Sequence, residues 1–279
     1  MDYDSLVFVL NRGMHCGGGF FALFFFLCNA YLRANEEKVP FWIVHDDWTY
    51  AHTLGWHDYF TTLRQWDSKG RALLTYHMAL AEQREYPLAK YVECIPELFQ
   101  LRPELIARAN AIRDSLGSYV AVFVRRGDKC IEIQDFPVER IVPHIQHATT
   151  LFVQTDDYTV VEEFRSLLPT HRIVATVPPT KRGSYHSAQY RDRSSIRPVR
   201  DPSWEQKDRN QIREETEEML VGLYICSRAS ECWTDDTSNV GRFLKLWAPE
   251  TTRLYTTDAE IDLSQVVHPA WEIRRDPIP

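Results

Sequence analysis

The sequence lacks the features that would mark a disulfide scaffold or a zinc module. Its 279 residues include six cysteines, at positions 16, 28, 94, 130, 226 and 232. None stands in a C-x-x-C pair, and no Cys/His group has zinc-ligand spacing, which leaves free, mostly buried thiols in a reducing compartment. The opening "MDYDSLVFVL" has no positive n-region and so does not read as a signal peptide. No run is long enough to cross a bilayer. The greasiest, "FFALFFFLC" over 20–28, is short, is followed closely by Asn29 and Arg33, and reads as a buried helix. A formal net charge of -7 excludes wholesale nucleic-acid binding, so any anion site must be local. There is no internal repeat and no low-complexity tract. A soluble, cytoplasmic protein is expected, with no membrane segment and no nucleic-acid partner. What remains is ordinary globular composition, 44% hydrophobic and 25% charged, at a length that favours two α/β lobes over one small core.

Along the chain, strands alternate with helices. "SLVFVL" (5–10) reads as a buried strand, "NRGMHCGGG" as a glycine loop and "FFALFFFLCNAYLRAN" as a helix. That layout brings backbone N–H groups and a helix N-terminus to an anion. It is not G-x-G-x-x-G, and a plain tight turn fits the same residues. "VPFWIVH" (39–45) gives a second strand, followed by the aromatic loop "DDWTYAHTLGWHDYF". Residues 71–116 look mostly helical, broken at Pro87, Pro96 and Pro103. Further strands are expected at 119–124, 150–154, "HRIVATV" and "ECWTD". Helices are expected at "PVERIVPHIQHA", interrupted near Pro143, and at "TVVEEFRSLL", "ETEEMLVGLYICSRA" and "SNVGRFLKLWA". The segment 178–210 is rich in Lys and Arg and poor in aliphatic residues, as in a long exposed loop. The alternation predicts a parallel α/β architecture.

One stretch carries the functional signal. In "VFVRRGDKCIE" (122–132) a buried strand ends abruptly in Arg125 and Arg126, with Lys129 a short turn later. In open parallel sheets, ligands bind beyond the carboxyl ends of the strands. Guanidinium forks match phosphate oxygens and keep their charge at any working pH. Asp128 could orient one arginine, and Glu132 is the nearest carboxylate outside that pairing. The set suits a diphosphate with a carboxylate base beside it. A surface ion-pair cluster capping a strand is the plainer alternative.

"VFVRRGDKCIEIQDF" resembles the phosphate-binding motif of the α-1,6-fucosyltransferases and rhizobial nodulation fucosyltransferases, V-H-V-R-R-T-D-K followed by an acid and a phenylalanine. Other blocks follow in the family's order: "CGGGFFALFFFLCNAY", "DWTYAHTLGWHDYF", "FVQTDDYTVVEEFRSLLP" and "CSRASECWTDDTSNVGR". Together they span residues 8–246, in blocks. The resemblance implies an α/β, GT-B-like fold of two Rossmann-like lobes with the donor site in the cleft between them. The N-terminal lobe would span 1–115 and carry the glycine loop and acceptor side. The nucleotide-sugar lobe would span 116–279, its tail packing back on the first. The resemblance also implies that Arg125 grips the donor diphosphate, with Arg126, Lys129 and Asp128 beside it. Glu132, reached by deleting one residue from the family spacing, would be the base. Donor-binding roles would fall on Gly17, Gly18, Gly19, Tyr50, Asp156, Asp157, Thr237, Ser238, Asn239 and Arg242. For Asp156 and Asp157, a helix N-cap is the alternative.

Two departures bear on the donor. The family histidine before the arginines corresponds to Phe123, and the aspartate that pairs with guanine corresponds to Gly222. A missing carboxylate costs a charge-assisted hydrogen bond of about 1.5–3 kcal/mol. The sequence therefore favours UDP-xylose over GDP-fucose as donor to a glycan hydroxyl. The implied chemistry is an inverting displacement that needs no metal cofactor, because fixed cations stabilise the leaving diphosphate. A metal-dependent glycosyltransferase is the rival. The acid pairs Asp46-Asp47, Asp156-Asp157 and Asp235-Asp236 are adjacent, and the Asp-x-Asp near a strand is Asp2-Tyr3-Asp4, at the terminus. A non-catalytic nucleotide-sugar or glycan-binding module is the rival outside the enzyme class. The short form resembles a bacterial cytosolic enzyme, or the soluble enzymes of large DNA viruses, which would act in host cytoplasm.

Overall fold

The computed structural model describes residues 3–11, 19–67, 69–75, 86–126, 137–181, 208–236 and 238–255. The chain divides into two compact units, Met1–Pro103 with Asp262–Pro279, and Glu104–Ile261.

The first unit is built on a parallel sheet of order β2-β1-β3, formed by β1 (Ser5–Asn11), β2 (Phe41–Asp47) and β3 (Ala72–Thr75). Leu6, Val7 and Phe8 are buried on both faces of β1, which is why this central strand reads as an unbroken apolar run. Helix α1 (Phe20–Glu37) carries the phenylalanine-rich run and is buried along most of its length. It stops where Lys38 takes a left-handed conformation (φ 56°) and returns its N–H to Ala34 and Asn35. The strand β3 lies in a stretch expected to be helical. It is a four-residue edge strand with Leu74 42% exposed, so it carries little apolar signal. Helix α2 (Leu88–Leu98) runs through Pro96 instead of breaking there. The proline falls in the last turn, where few intrahelical bonds remain to lose. α2 packs on α1, and the Tyr91 hydroxyl donates to buried Asn29.

In the second unit five parallel strands run in the order β6-β5-β4-β7-β8: β4 (Val120–Val124), β5 (Thr150–Thr155), β6 (Arg172–Val174), β7 (Glu231–Asp235) and β8 (Thr252–Tyr255). Helix α3 (Pro103–Leu116) opens on a proline at its first position. It goes with this unit, not with the first as the sequence suggested. Arg108 pairs with Glu217, and Arg172 donates to the Ser115 carbonyl at 2.8 Å. A 3-10 turn (Val138–Arg140) and the short α4 (Val142–Ile145) replace the interrupted helix, with Pro143 starting α4. α5 (Thr159–Leu167) follows β5. On one face Val120, Val122, Val124, Leu151 and Val153 pack with Ile141, Ile145, Val160, Val161 and Phe164. The long α6 (Arg209–Ser227) packs against β4 and β5, and α7 (Asn239–Trp247) against β7 and β8. Strand order reverses between β4 and β7, and that switch point is where an open parallel sheet binds its ligand.

Candidate functional site

At the carboxyl end of β4, fully buried Val124 gives way to Arg125 and Arg126. The chemistry here is ordered by the end of β5. Asp156 Oδ1 accepts the backbone N–H of Arg126 at 2.9 Å, and its Oδ2 lies 3.8 Å from Arg125 Nε. The Arg126 guanidinium meets Glu163 of α5 in a fork, with Nη2 to Oε2 at 2.6 Å and Nη1 to Oε1. Such a bidentate pair fixes geometry as well as charge. Arg126 is thus tied to the scaffold, and Asp156 holds its backbone while lying within ion-pair range of Arg125. Glu163 escaped the sequence reading because its partner is 37 residues away. Asp157 holds the start of α5. Its Oδ1 accepts the N–H and hydroxyl of Thr159 at 2.9 and 2.8 Å, which starts α5.

β7 is hydrogen-bonded to β4, with Phe123 opposite Thr234. The chain beyond it makes a tight entry into α7. Asp235 Oδ1 accepts the Ser238 N–H at 3.1 Å, and the Ser238 hydroxyl caps the helix by accepting the Gly241 N–H at 3.0 Å. A Cβ on Gly241 would stand 1.9 Å from the Asp235 carbonyl oxygen, so only glycine lets α7 close on the strand end. Arg242 Nε donates to the Asp236 carbonyl at 2.8 Å. Ser238 and Arg242 build this turn, Asn239 begins the helix, and an anion is favoured at such a terminus by backbone N–H groups and the helix dipole.

In the first unit Gly19 is the N-cap of α1, and its carbonyl accepts the N–H groups of Ala22 and Leu23. The Tyr50 ring packs edge-on to Phe20 and Trp48, with centroids at 5.1 and 5.6 Å. Its carbonyl accepts the Tyr59 hydroxyl at 2.7 Å. Buried Asp58 shapes the same loop by accepting the backbone N–H groups of His52, Thr53 and Leu54. Glu132, Asp128, Lys129, Gly17, Gly18 and Thr237 lie outside the described residues, as does most of the basic 178–210 segment.

The two positions that depart from the fucosyltransferase pattern meet around one side chain. Gln154 of β5 is opposite Phe123 in register. A Cβ on Gly222 of α6 would stand 1.8 Å from Gln154 Oε1, so the glutamine fills the space a side chain at 222 would need. Gly222→Asp should therefore destabilise the fold by about 1–3 kcal/mol, the usual cost of overpacking. Chemical denaturation measures this, and an unchanged midpoint would refute the packing. One helical turn before Gly222, Glu218 accepts from Gln154 Nε2 at 3.1 Å. Burial pushes its carboxyl above the ordinary range, against the opposing pull of the Gln154 bond and of Lys181.

No protein-family model and no curated protein matches the sequence. Solved structures do match. The NodZ alpha-1,6-fucosyltransferase soaked with GDP-fucose aligns over 93% of this chain and 99% of that one, with a TM-score of 0.55 and 13% identity. POFUT1 in complex with GDP covers 90% of this chain and 97% of its own, with a TM-score of 0.52 and 10% identity. The Arabidopsis thaliana FUT1 mutant R284K in complex with GDP aligns over 90% and 70%, with a TM-score of 0.52 and 7% identity. At these identities the likeness is one of fold: an α/β, GT-B-like architecture shared with structures described as fucosyltransferases.

Proposed function

We propose that the protein is an inverting glycosyltransferase that uses GDP-fucose and transfers fucose to a glycan hydroxyl. The observation that carries this reading is the arginine pair at the β4–β7 switch point, ordered by Asp156 and Glu163. The fold it shares with structures holding GDP or GDP-fucose supports it. UDP-xylose, favoured on sequence grounds, gives way for a physical reason. That preference rested on the carboxylate missing at position 222 and on Phe123 in place of the family histidine, but Gln154 fills the space at 222 and Glu218 stands one turn away on the same helix.

In the proposed reaction the acceptor oxygen attacks the anomeric carbon and the bond from that carbon to the diphosphate oxygen breaks. Glu132 takes the acceptor proton, and GDP leaves with its charge met by Arg125 and by Lys129. Arg126 holds the strand end in shape. No metal is required, because the cations are part of the chain. A reducing, cytoplasmic setting belongs to the same proposal; the four described cysteines, Cys28, Cys94, Cys226 and Cys232, are buried. Among the described residues no helix is long and apolar enough to cross a membrane.

The test is a transfer assay with GDP-fucose and UDP-xylose against a glycan panel, run with and without EDTA. Acceptor-dependent release of GDP that survives EDTA is expected. Turnover of UDP-xylose alone would refute the donor. Tight GDP binding without turnover on any acceptor would favour a non-catalytic binding module, and loss of activity in EDTA would refute the metal-free mechanism.

A further inference from the structure

Near the carboxyl end of β2 the first unit buries an imidazole that no described residue satisfies. His45 is 7% exposed, and neither of its ring nitrogens has a hydrogen-bond partner among the described residues. A buried polar atom left unmatched costs free energy that an apolar residue would not. The ring is nonetheless closely seated. Gly55 opens a 3-10 turn (Gly55–Asp58) at φ 61°, and a Cβ on it would stand 1.9 Å from His45 Nδ1. Glycine alone suits both that φ and that approach. The His57 ring of the same turn stands perpendicular to the His45 ring, with centroids 5.5 Å apart. His57 Nδ1 lies 3.3 Å from the Phe60 carbonyl oxygen.

The charged groups around the ring are engaged elsewhere. The Asp46 carboxylate accepts Gln65 Nε2 at 3.2 and 3.1 Å. The Asp58 carboxylate accepts the N–H groups of His52, Thr53 and Leu54 and the Thr53 hydroxyl. Arg102 Nη1 donates to the His57 carbonyl at 3.2 Å. From α1, Phe20 and Phe24 pack on Trp48 and Trp56 and bring no charge. A proton on His45 would therefore meet a second imidazole and no hydrogen-bonded anion. Burial, and then His57, hold its pKa below the ordinary range against the weaker pulls of Asp46, its own backbone and Asp58. The turn over His45 also anchors the aromatic loop. Trp56 stacks on Phe60 at 4.2 Å and packs on Trp48, and the Tyr59 hydroxyl donates to the Tyr50 carbonyl.

We infer that His45, seated under Gly55 and beside His57, is an acid-sensitive latch. With the ring neutral, the loop 48–60 closes on β2; with the ring protonated, that loop is released. The unfolded chain takes the proton near pH 6.5, and the folded chain only at a lower pH. The unfolded state thus binds more protons below pH 6.5, so the stability that the neutral ring allows is full above that pH and is lost as the pH falls below it. The cost falls on one turn and its loop, so the loop opens ahead of the whole unit. Tyr50 is carried on that loop, but the latch does not rest on the nucleotide-sugar reading.

The experiment is thermal unfolding of wild type and His45→Gln at steps from pH 7.5 to pH 5, with hydrogen exchange of residues 48–60 followed by mass spectrometry at both ends of the range. Glutamine is neutral throughout, and the comparison reads the pH slope, so any change in baseline stability drops out. The wild-type midpoint should fall by about 2–4 °C more than that of His45→Gln over this range, with the extra loss beginning below pH 6.5. Loop exchange, corrected for the intrinsic rate, should rise about tenfold in wild type at pH 5 and stay level in His45→Gln. Equal pH slopes in the two proteins, or wild-type loop exchange that does not change with pH, would overturn the latch, whatever the donor proves to be.

Discussion

Arg125→Ala is expected to lower turnover by roughly 10²–10³, the usual worth of a fixed electrostatic donor to a developing anion. Donor affinity should fall with it, because the same guanidinium meets the diphosphate in the ground state. Arg125→Lys should fail nearly as badly, since an ammonium is a point charge and cannot make the planar fork contact. The neighbouring arginine gives the control. Arg126 is locked to Glu163 and, through its N–H, to Asp156. Arg126→Ala should therefore lower stability, by leaving a partly buried carboxylate without its partner. Steady-state kinetics of both variants beside their unfolding midpoints checks the division. Near-normal rates for Arg125→Lys would remove Arg125 from the mechanism.

Glu132→Gln is expected to slow transfer by roughly 10²–10⁴, the range for loss of a general base, while donor binding stays intact. The amide keeps the shape and loses the ability to take a proton. The expected signature is a fall in kcat with little change in donor KM, and loss of the acidic limb of the pH–rate profile. If Glu132→Gln transfers fucose at the wild-type rate, the base is another acid, and Asp135 or Asp157 is the next to replace.

Much of this was legible in the sequence, and the omissions have physical causes. β1, β4 and β5 were plain because central strands covered on both faces are nearly continuous apolar runs. β3 and β8 were not, because each is a four-residue edge strand, half-exposed and flanked by polar residues. Arg125 and Arg126 could be recognised as cations at a strand end. Their different positions could not, because the difference is made by Glu163 and Asp156, contacts 30 to 37 residues away. The sequence made Gly222 look like a lost contact. Its meaning depends on Gln154, which fills the space, and on Glu218, 64 residues from Gln154 along the chain. Local pattern reports burial and charge. It does not report which acid a given base will meet across a sheet.

Calorimetric titration of the wild-type protein with GDP and UDP at one salt concentration tests the central claim most directly. The account predicts that GDP binds and that UDP binds at least tenfold more weakly, a gap of about 1.4 kcal/mol. UDP binding as tight as GDP, or no binding of either, would contradict it.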